Sequence, residues 1–123
     1  MELSYYDKIG HNNLRQLIRD FYIEIKKDEI MAPLYEEDFE GAEERLFLFM
    51  IQYLGGPTTY SEQRGHPALR RRHVPFPVNT ETIAAWLKNM EVALSKSTMK
   101  ENHKTFLKDY FEKTAHFLRN REE

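Results

Sequence analysis

Apolar and polar residues follow a helical period early in the chain. In HNNLRQLIRDFYIEIKKD, Leu14, Leu17, Ile18, Phe21, Tyr22 and Ile25 recur at steps of three, one, three, one and three. That spacing lines one face of an α-helix and turns it inward. Asn12 or Asn13 is placed to cap it. Upstream, Ser4 precedes a short helix ending at Gly10; downstream, the chain turns around Pro33 through a brief helical piece ending near Tyr35.

AEERLFLFMIQYL, Ala42 to Leu54, predicts a second strong helix with Leu46, Phe47, Phe49, Met50, Tyr53 and Leu54 on a wide apolar face, stopped by the GGP at Gly55–Pro57. The stretch that follows, TTYSEQRGHPALRRRHVPFPV, has little periodicity. Within it, Pro67 can open a short helix carrying Leu69 to His73, which Pro75 and Pro77 then end. Asn79 or Thr80 caps a third long helix, with Ile83, Trp86, Leu87, Met90 and Leu94 on one side and Glu81 near its orphan amides. A last helix runs from about Lys100 to Leu118, with Phe106, Leu107, Tyr110, Phe111, Phe117 and Leu118 facing inward. No strand pattern competes with these helices, so the expected fold class is all-α, as a single domain over residues 1–123.

Composition adds a reason for a pocket. Aromatic residues make up 13% of the chain, with eight Phe and seven Tyr. There are 18 basic against 20 acidic residues, which gives no general attraction to nucleic acid. The charge is uneven, however: Arg64 to His73 holds four arginines, two histidines and no acid. Such a patch suits a small anion or simply solvent. The absence of cysteine excludes disulfides, thiolate metal sites and cysteine nucleophiles. With no apolar run long enough for a membrane span and no leader-like start, a cytoplasmic protein is expected.

His73 has two readings on chemistry alone. It can be a loop or helix-end histidine, because ordinary His and carboxylate metal sites need several ligands and no HExxH pattern occurs. It can also be the one axial ligand that haem iron requires, since the macrocycle already supplies four nitrogens. Haem would want apolar walls for its disc and basic residues such as Arg64, Arg70, Arg71 or Arg72 near its propionates. Tyr22, Tyr35 and Trp86 sit at apolar positions and carry polar atoms that need partners, either in the core or on a ligand. His11, His103 and His116 read as surface residues. The cluster Glu36, Glu37, Asp38 and Glu40 reads as a solvated face.

Three stretches narrow these choices: EDFEGAEERL at 37–46, QYLGGPTTYSEQRGHPALRRRHVPFPV at 52–78 and AWLKNM at 85–90. With them the chain resembles the truncated haemoglobins of the second group, the O-type, over nearly its whole length. The resemblance implies a two-over-two helical sandwich around haem b, in which a loop and one short turn replace most of the proximal helix. It puts the iron ligand at His73 and the distal polar residues at Tyr22, Tyr35 and Trp86. It also puts a small gate residue at Ala42 and the haem walls at Leu46, Phe49 and Met50, and Phe76 is expected among the cofactor-binding residues. Tyr60, Arg72 and His66 fall on the propionate side. One departure is visible: Gly10 is followed by His11 where the family often has a second glycine.

The activity so implied is reversible binding of dioxygen, and of NO and CO, in the service of NO or peroxide chemistry rather than bulk oxygen transport. Either NO dioxygenase or weak peroxidase turnover fits, with a reductase as partner and a monomer or homodimer as the working form. Ala42 in place of a distal histidine argues against a peroxidase that relies on an imidazole acid–base catalyst. Two alternatives remain: a haem-based sensor or electron-transfer partner, and a haem-free helical module that docks an acidic partner through Arg70–Arg72.

Overall fold

The computed structural model describes residues 2–121. Among these, eight helices run in the order α1 (Tyr5–Ile9), α2 (His11–Lys27), α3 (Ala32–Tyr35), α4 (Phe39–Tyr53), α5 (Thr59–Arg64), α6 (Leu69–His73), α7 (Thr80–Lys96) and α8 (Glu101–Phe117). Helix α2 packs against both α4 and α7, and α7 packs in turn against α8. The four long helices therefore form two layered pairs, with the short elements strung between them. Leu14, Ile18, Phe21 and Ile25, the stripe read from the α2 sequence, have no exposed surface at all. Phe47 and Met50 of α4, Met90 of α7 and Leu107 of α8 close the core around them.

Local chemistry sets the helix ends. Ser4 caps α1 in a reciprocal capping box with Asp7, and Asn79 does the same for α7 with Thr82. The α2 start differs from expectation: Gly10, not Asn12 or Asn13, is the cap, and Asn13 instead donates back to Ile9 O at 2.8 Å. Gly10 takes φ +97°, a value that favours glycine, so the α1–α2 corner needs only this one residue. His11 fills the place of a second glycine and is hydrogen bonded through Nδ1 to Tyr6 Oη at 2.9 Å.

Helix α4 begins at Phe39, three residues before the expected Ala42. Asp38 accepts from Gly41 N–H at 2.8 Å and supplies the missing cap, so this member of the acidic cluster is more than a solvated charge. Helix α5 was not expected, and its polar sequence TYSEQR explains why. It is pinned by Gln52, which donates to Ser61 Oγ at 2.8 Å and accepts from Ser61 N–H at 3.0 Å. Three burial expectations also change. Tyr53 is 51% exposed and Phe117 60% exposed, whereas His103 is buried at 6%.

The turn between α2 and α3 decides where Tyr35 stands. Asp28 accepts from Ile30 N–H at 2.8 Å and Met31 N–H at 3.2 Å through Oδ1. Its Oδ2 accepts at 2.8 Å from Asn89, a buried residue of α7. Burial pushes the Asp28 carboxyl up, but these donors together outweigh it and hold the group below its ordinary value. The turn is thus tied to the core by a side chain 61 residues further along the chain.

Candidate functional site

A cavity of about 720 Å³ opens between the α2–α4 layer and the α6–α8 segment. That volume lies within the range of about 300–1,000 Å³ usual for cofactor pockets. His73, at the end of α6, lines it. Its Nδ1 lies 2.7 Å from Leu69 O, an atom that can only accept, so Nδ1 carries the proton. Nε2 is left with a free lone pair, the form in which an imidazole serves as a metal ligand, and the carbonyl fixes the ring that presents it.

Helix α6 would not stand alone at five residues. Ala68 enters it in a left-handed conformation, φ 41° and ψ 53°, and the chain turns away at Val74 and Pro75. Arg72 braces the approach. Its Nε donates to Pro67 O at 2.6 Å, and its Nη2 donates to Arg64 O at 2.7 Å and His66 O at 3.0 Å. Three of its contacts therefore go to backbone, and Nη1 is the nitrogen left for an anion at the cavity. Asn120, a residue that no sequence pattern singles out, braces the other side. Its Nδ2 donates to His73 O at 2.9 Å and Phe76 O at 3.0 Å, while its Oδ1 accepts from Val78 N–H at 3.0 Å.

Tyr22, Tyr35 and Trp86 all reach the same cavity, which is the convergence that sequence could not show. The Tyr22 and Tyr35 rings meet edge to face at 5.5 Å, and Phe21 lies between Tyr22 and Trp86 at 5.0 and 4.7 Å. Burial pushes the Tyr22 phenol well above its ordinary value, with the neighbouring Tyr35 adding to the rise. Burial likewise pushes Tyr35 up to about 12, against an opposing effect of the Trp86 side chain. Both phenols stay protonated and remain hydrogen-bond donors across the neutral range. No polar side-chain atom of the described residues is sealed from solvent without a partner.

Ala42, Leu46, Phe49, Met50 and Phe76 supply apolar lining. Tyr60 also lines the cavity, with the guanidinium carbons of Arg72 and Arg64 at 5.8 and 6.0 Å from its ring centroid. His66 does not line it. Its Nδ1 accepts from Ala68 N–H at 3.0 Å, which is a turn-forming role. Arg70 and Arg71 stay exposed outside the lining. Arg45, another residue not singled out from sequence, does contribute, with Nη1 at 3.7 Å from Asp38 Oδ2. Its place one residue before Leu46 was the only clue.

Comparison with known proteins shows the family and the fold. The family described as bacterial-like globin matches residues 4–120. The group 2 truncated hemoglobin YjbI of Bacillus subtilis is 36% identical over 118 residues, covering 96% of this chain and 89% of that protein. Two-on-two hemoglobin-3 of Arabidopsis thaliana is 34% identical over 121 residues, covering 95% and 69%. Among solved structures, the hemoglobin of Chloroflexus aurantiacus superposes with a TM-score of 0.93 at 38% identity, covering 98% of this chain and 100% of that one. The group II truncated hemoglobin of Bacillus anthracis gives 0.94 at 29% identity, covering 100% and 95%.

Proposed function

Because the chain belongs to the group II truncated haemoglobins of the globin family, we propose that it holds haem b through His73 and binds dioxygen, NO or CO under a Tyr/Trp donor set. The observation that carries this reading is the His73 imidazole, whose Nδ1 is committed to Leu69 O and whose Nε2 is free on the cavity. When bound, haem supplies an open iron position for a diatomic gas.

The chain's own residues do the rest. Trp86 Nε1–H and the Tyr22 and Tyr35 hydroxyls are the donors available to a polarised gas ligand. Leu46, Phe49 and Met50 keep the surroundings poor in water, which strengthens each donated bond. Ala42 contributes no proton-transfer group. Several donors in a dry pocket favour tight holding and slow release, which suits NO or peroxide chemistry more than bulk delivery. Turnover of that kind needs a reductase to restore ferrous iron. No described helix is long and apolar enough to cross a membrane.

The test is to titrate haem into the purified chain and record the visible spectrum. An intense Soret band that saturates at equimolar haem is expected, and a band no larger than that of free haem would reject the reading. The Asn120 clamp gives a second outcome. Asn120→Ala removes three hydrogen bonds from the ligand segment, and loss of an outer-shell support typically costs about 10–100-fold in metal-site affinity. Haem transfer to an excess of acceptor apoprotein should therefore speed up by at least about tenfold at the low end of that range. Transfer at the wild-type rate would remove Asn120 from this role.

A further inference from the structure

The chain's nine arginines fall into two sets. Arg15, Arg19 and Arg45 each face a carboxylate, at 2.9, 3.9 and 3.7 Å. Arg64, Arg70, Arg71, Arg72, Arg119 and Arg121 face none among the described residues.

The fold gathers these six. Arg119 Nη1 donates to Thr80 Oγ1 at 3.1 Å, Arg121 N–H donates to Val78 O at 3.2 Å, and Arg70 lies over the Phe117 ring at 5.4 Å. The end of α8 is thus laid against α6 and the segment that follows it. No acidic residue occurs at 63–80 or 114–121. Even counting Glu122 and Glu123, which follow Arg121 in the sequence and lie outside the described residues, six arginines outnumber two acids.

Apolar side chains lie among these charges. Val74 and Phe117 are each 60% exposed, and Phe76 is 41% exposed. Phe76 also lines the cavity, with its ring 6.3 Å from that of His73. A molecule seated on this face therefore comes within one side chain of the proposed iron ligand.

We propose that the arginine face is the docking surface for a small acidic electron-transfer protein, with its one-electron centre at its rim, which delivers electrons past Phe76 to the haem. The proposal rests on the haem reading above and gives its unassigned reductant a chemistry and a place. In the step, the donor's reduced centre loses one electron and ferric iron gains it, becoming ferrous. No bond to hydrogen or oxygen forms or breaks.

The occupant follows from the charge. The chain holds 18 basic and 20 acidic residues, so six unpaired arginines on one face leave the remainder acidic. A molecule polarised in this way turns its basic face toward an acidic surface as the two approach. Arginine with exposed aromatic neighbours is also a composition enriched in protein interfaces. The same charges repel a second copy of this chain. A lipid surface calls for an amphipathic helix lying flat, whereas this face is built from the five-residue α6, the end of α8 and irregular chain.

The experiment uses haem-loaded protein and a plant-type [2Fe–2S] ferredoxin as the acidic donor. Stopped-flow mixing of reduced ferredoxin with the ferric protein reads the electron step, and calorimetric titration with oxidised ferredoxin reads docking alone. Raising salt from about 50 to about 500 mM should slow the bimolecular step at least about tenfold and weaken binding in parallel. Arg70→Glu and Arg71→Glu should each slow reduction at least about fivefold and weaken binding in step. Lys100→Glu makes the same change of charge at the opposite end of α8 and should leave both within about twofold. A neutral lumiflavin radical, generated by light, should reduce all of these proteins at equal rates, which checks that the haem site is intact. A rate indifferent to salt, or equal slowing by Lys100→Glu, would overturn the docking face. So would phosphatidylserine vesicles that bind the protein more tightly than ferredoxin does. Binding that depends on Arg70 and Arg71 without any reduction would overturn electron delivery. A chain that takes up no haem would overturn the haem reading and the electron step together, while the calorimetric titration still decides the face.

Discussion

His73→Ala should lower haem affinity by more than about 100-fold, beyond the loss typical of an outer-shell residue, and added imidazole should restore much of the wild-type spectrum. Haem asks the protein for one axial nitrogen, so removing it takes away the fifth iron ligand at a stroke. The backbone bond from Asn120 Nδ2 to the residue-73 carbonyl does not depend on the side chain and survives the change. The His73 side chain also lies outside the hydrophobic core. The apoprotein should lose only about 0.5–1.5 kcal/mol, the ordinary contribution of the one Nδ1 bond to Leu69 O that goes with the side chain. Haem titrations of both proteins, with and without imidazole, read the effect. Equal affinities and identical spectra would reject His73 as the ligand.

Trp86→Phe should speed dioxygen release by about tenfold to a hundredfold, because a hydrogen bond to a charged partner contributes about 1.5–3 kcal/mol. Phenylalanine keeps an aromatic ring and removes the indole N–H. Trp86 also packs on Phe21 at 4.7 Å and on Phe111 at 5.3 Å, so the smaller ring leaves a packing defect as well. Two measurements separate the effects. Loss of the donor raises the dissociation rate of polar dioxygen far more than that of carbon monoxide, whereas a packing defect alters both alike. Stopped-flow dissociation with each gas decides between them, and an unchanged dioxygen rate would dismiss Trp86 as a donor. Tyr22→Phe should act in the same direction, since its phenol stays protonated across the neutral range.

The long helices were legible because their apolar stripes repeat with the helical period. Leu14 to Ile25 and Ile83 to Leu94 needed nothing beyond their own segments. Features that depend on distant residues were not legible. Asn120 reads as an ordinary residue following a helix until the fold brings it against Phe76 and Val78. Helix α5 lacks an apolar stripe because Gln52, from another helix, holds it. The burial of His103 did have a signal: residues 103, 107 and 111 are spaced by four, and Leu107 and Phe111 are both buried on that face. Phe117 and Tyr53 failed for the opposite reason. A stripe marks a face but not how far along the helix its partner extends. Among the site residues, Tyr22, Tyr35, Trp86 and His73 were nameable singly, and their meeting in one cavity is a tertiary fact.

The first helix has a consequence for how freely such a sequence can diverge. The cavity lining begins at Tyr22, so α1 takes no part in the chemistry. It lands instead on the glycines after α4: Tyr6 N–H donates to Leu54 O at 2.9 Å, a Cβ at Gly55 would meet Ser4 Cβ at 2.8 Å, and one at Gly56 would meet the Tyr6 ring at 2.7 Å. Selection on gas binding therefore leaves most of the opening ten residues open to drift, while it indirectly preserves two glycines far from the iron ligand. A descendant that lost α1 altogether would still be held to both glycines, because Gly55 takes φ +96° and a Cβ at Gly56 would also meet Ile51 O at 2.8 Å.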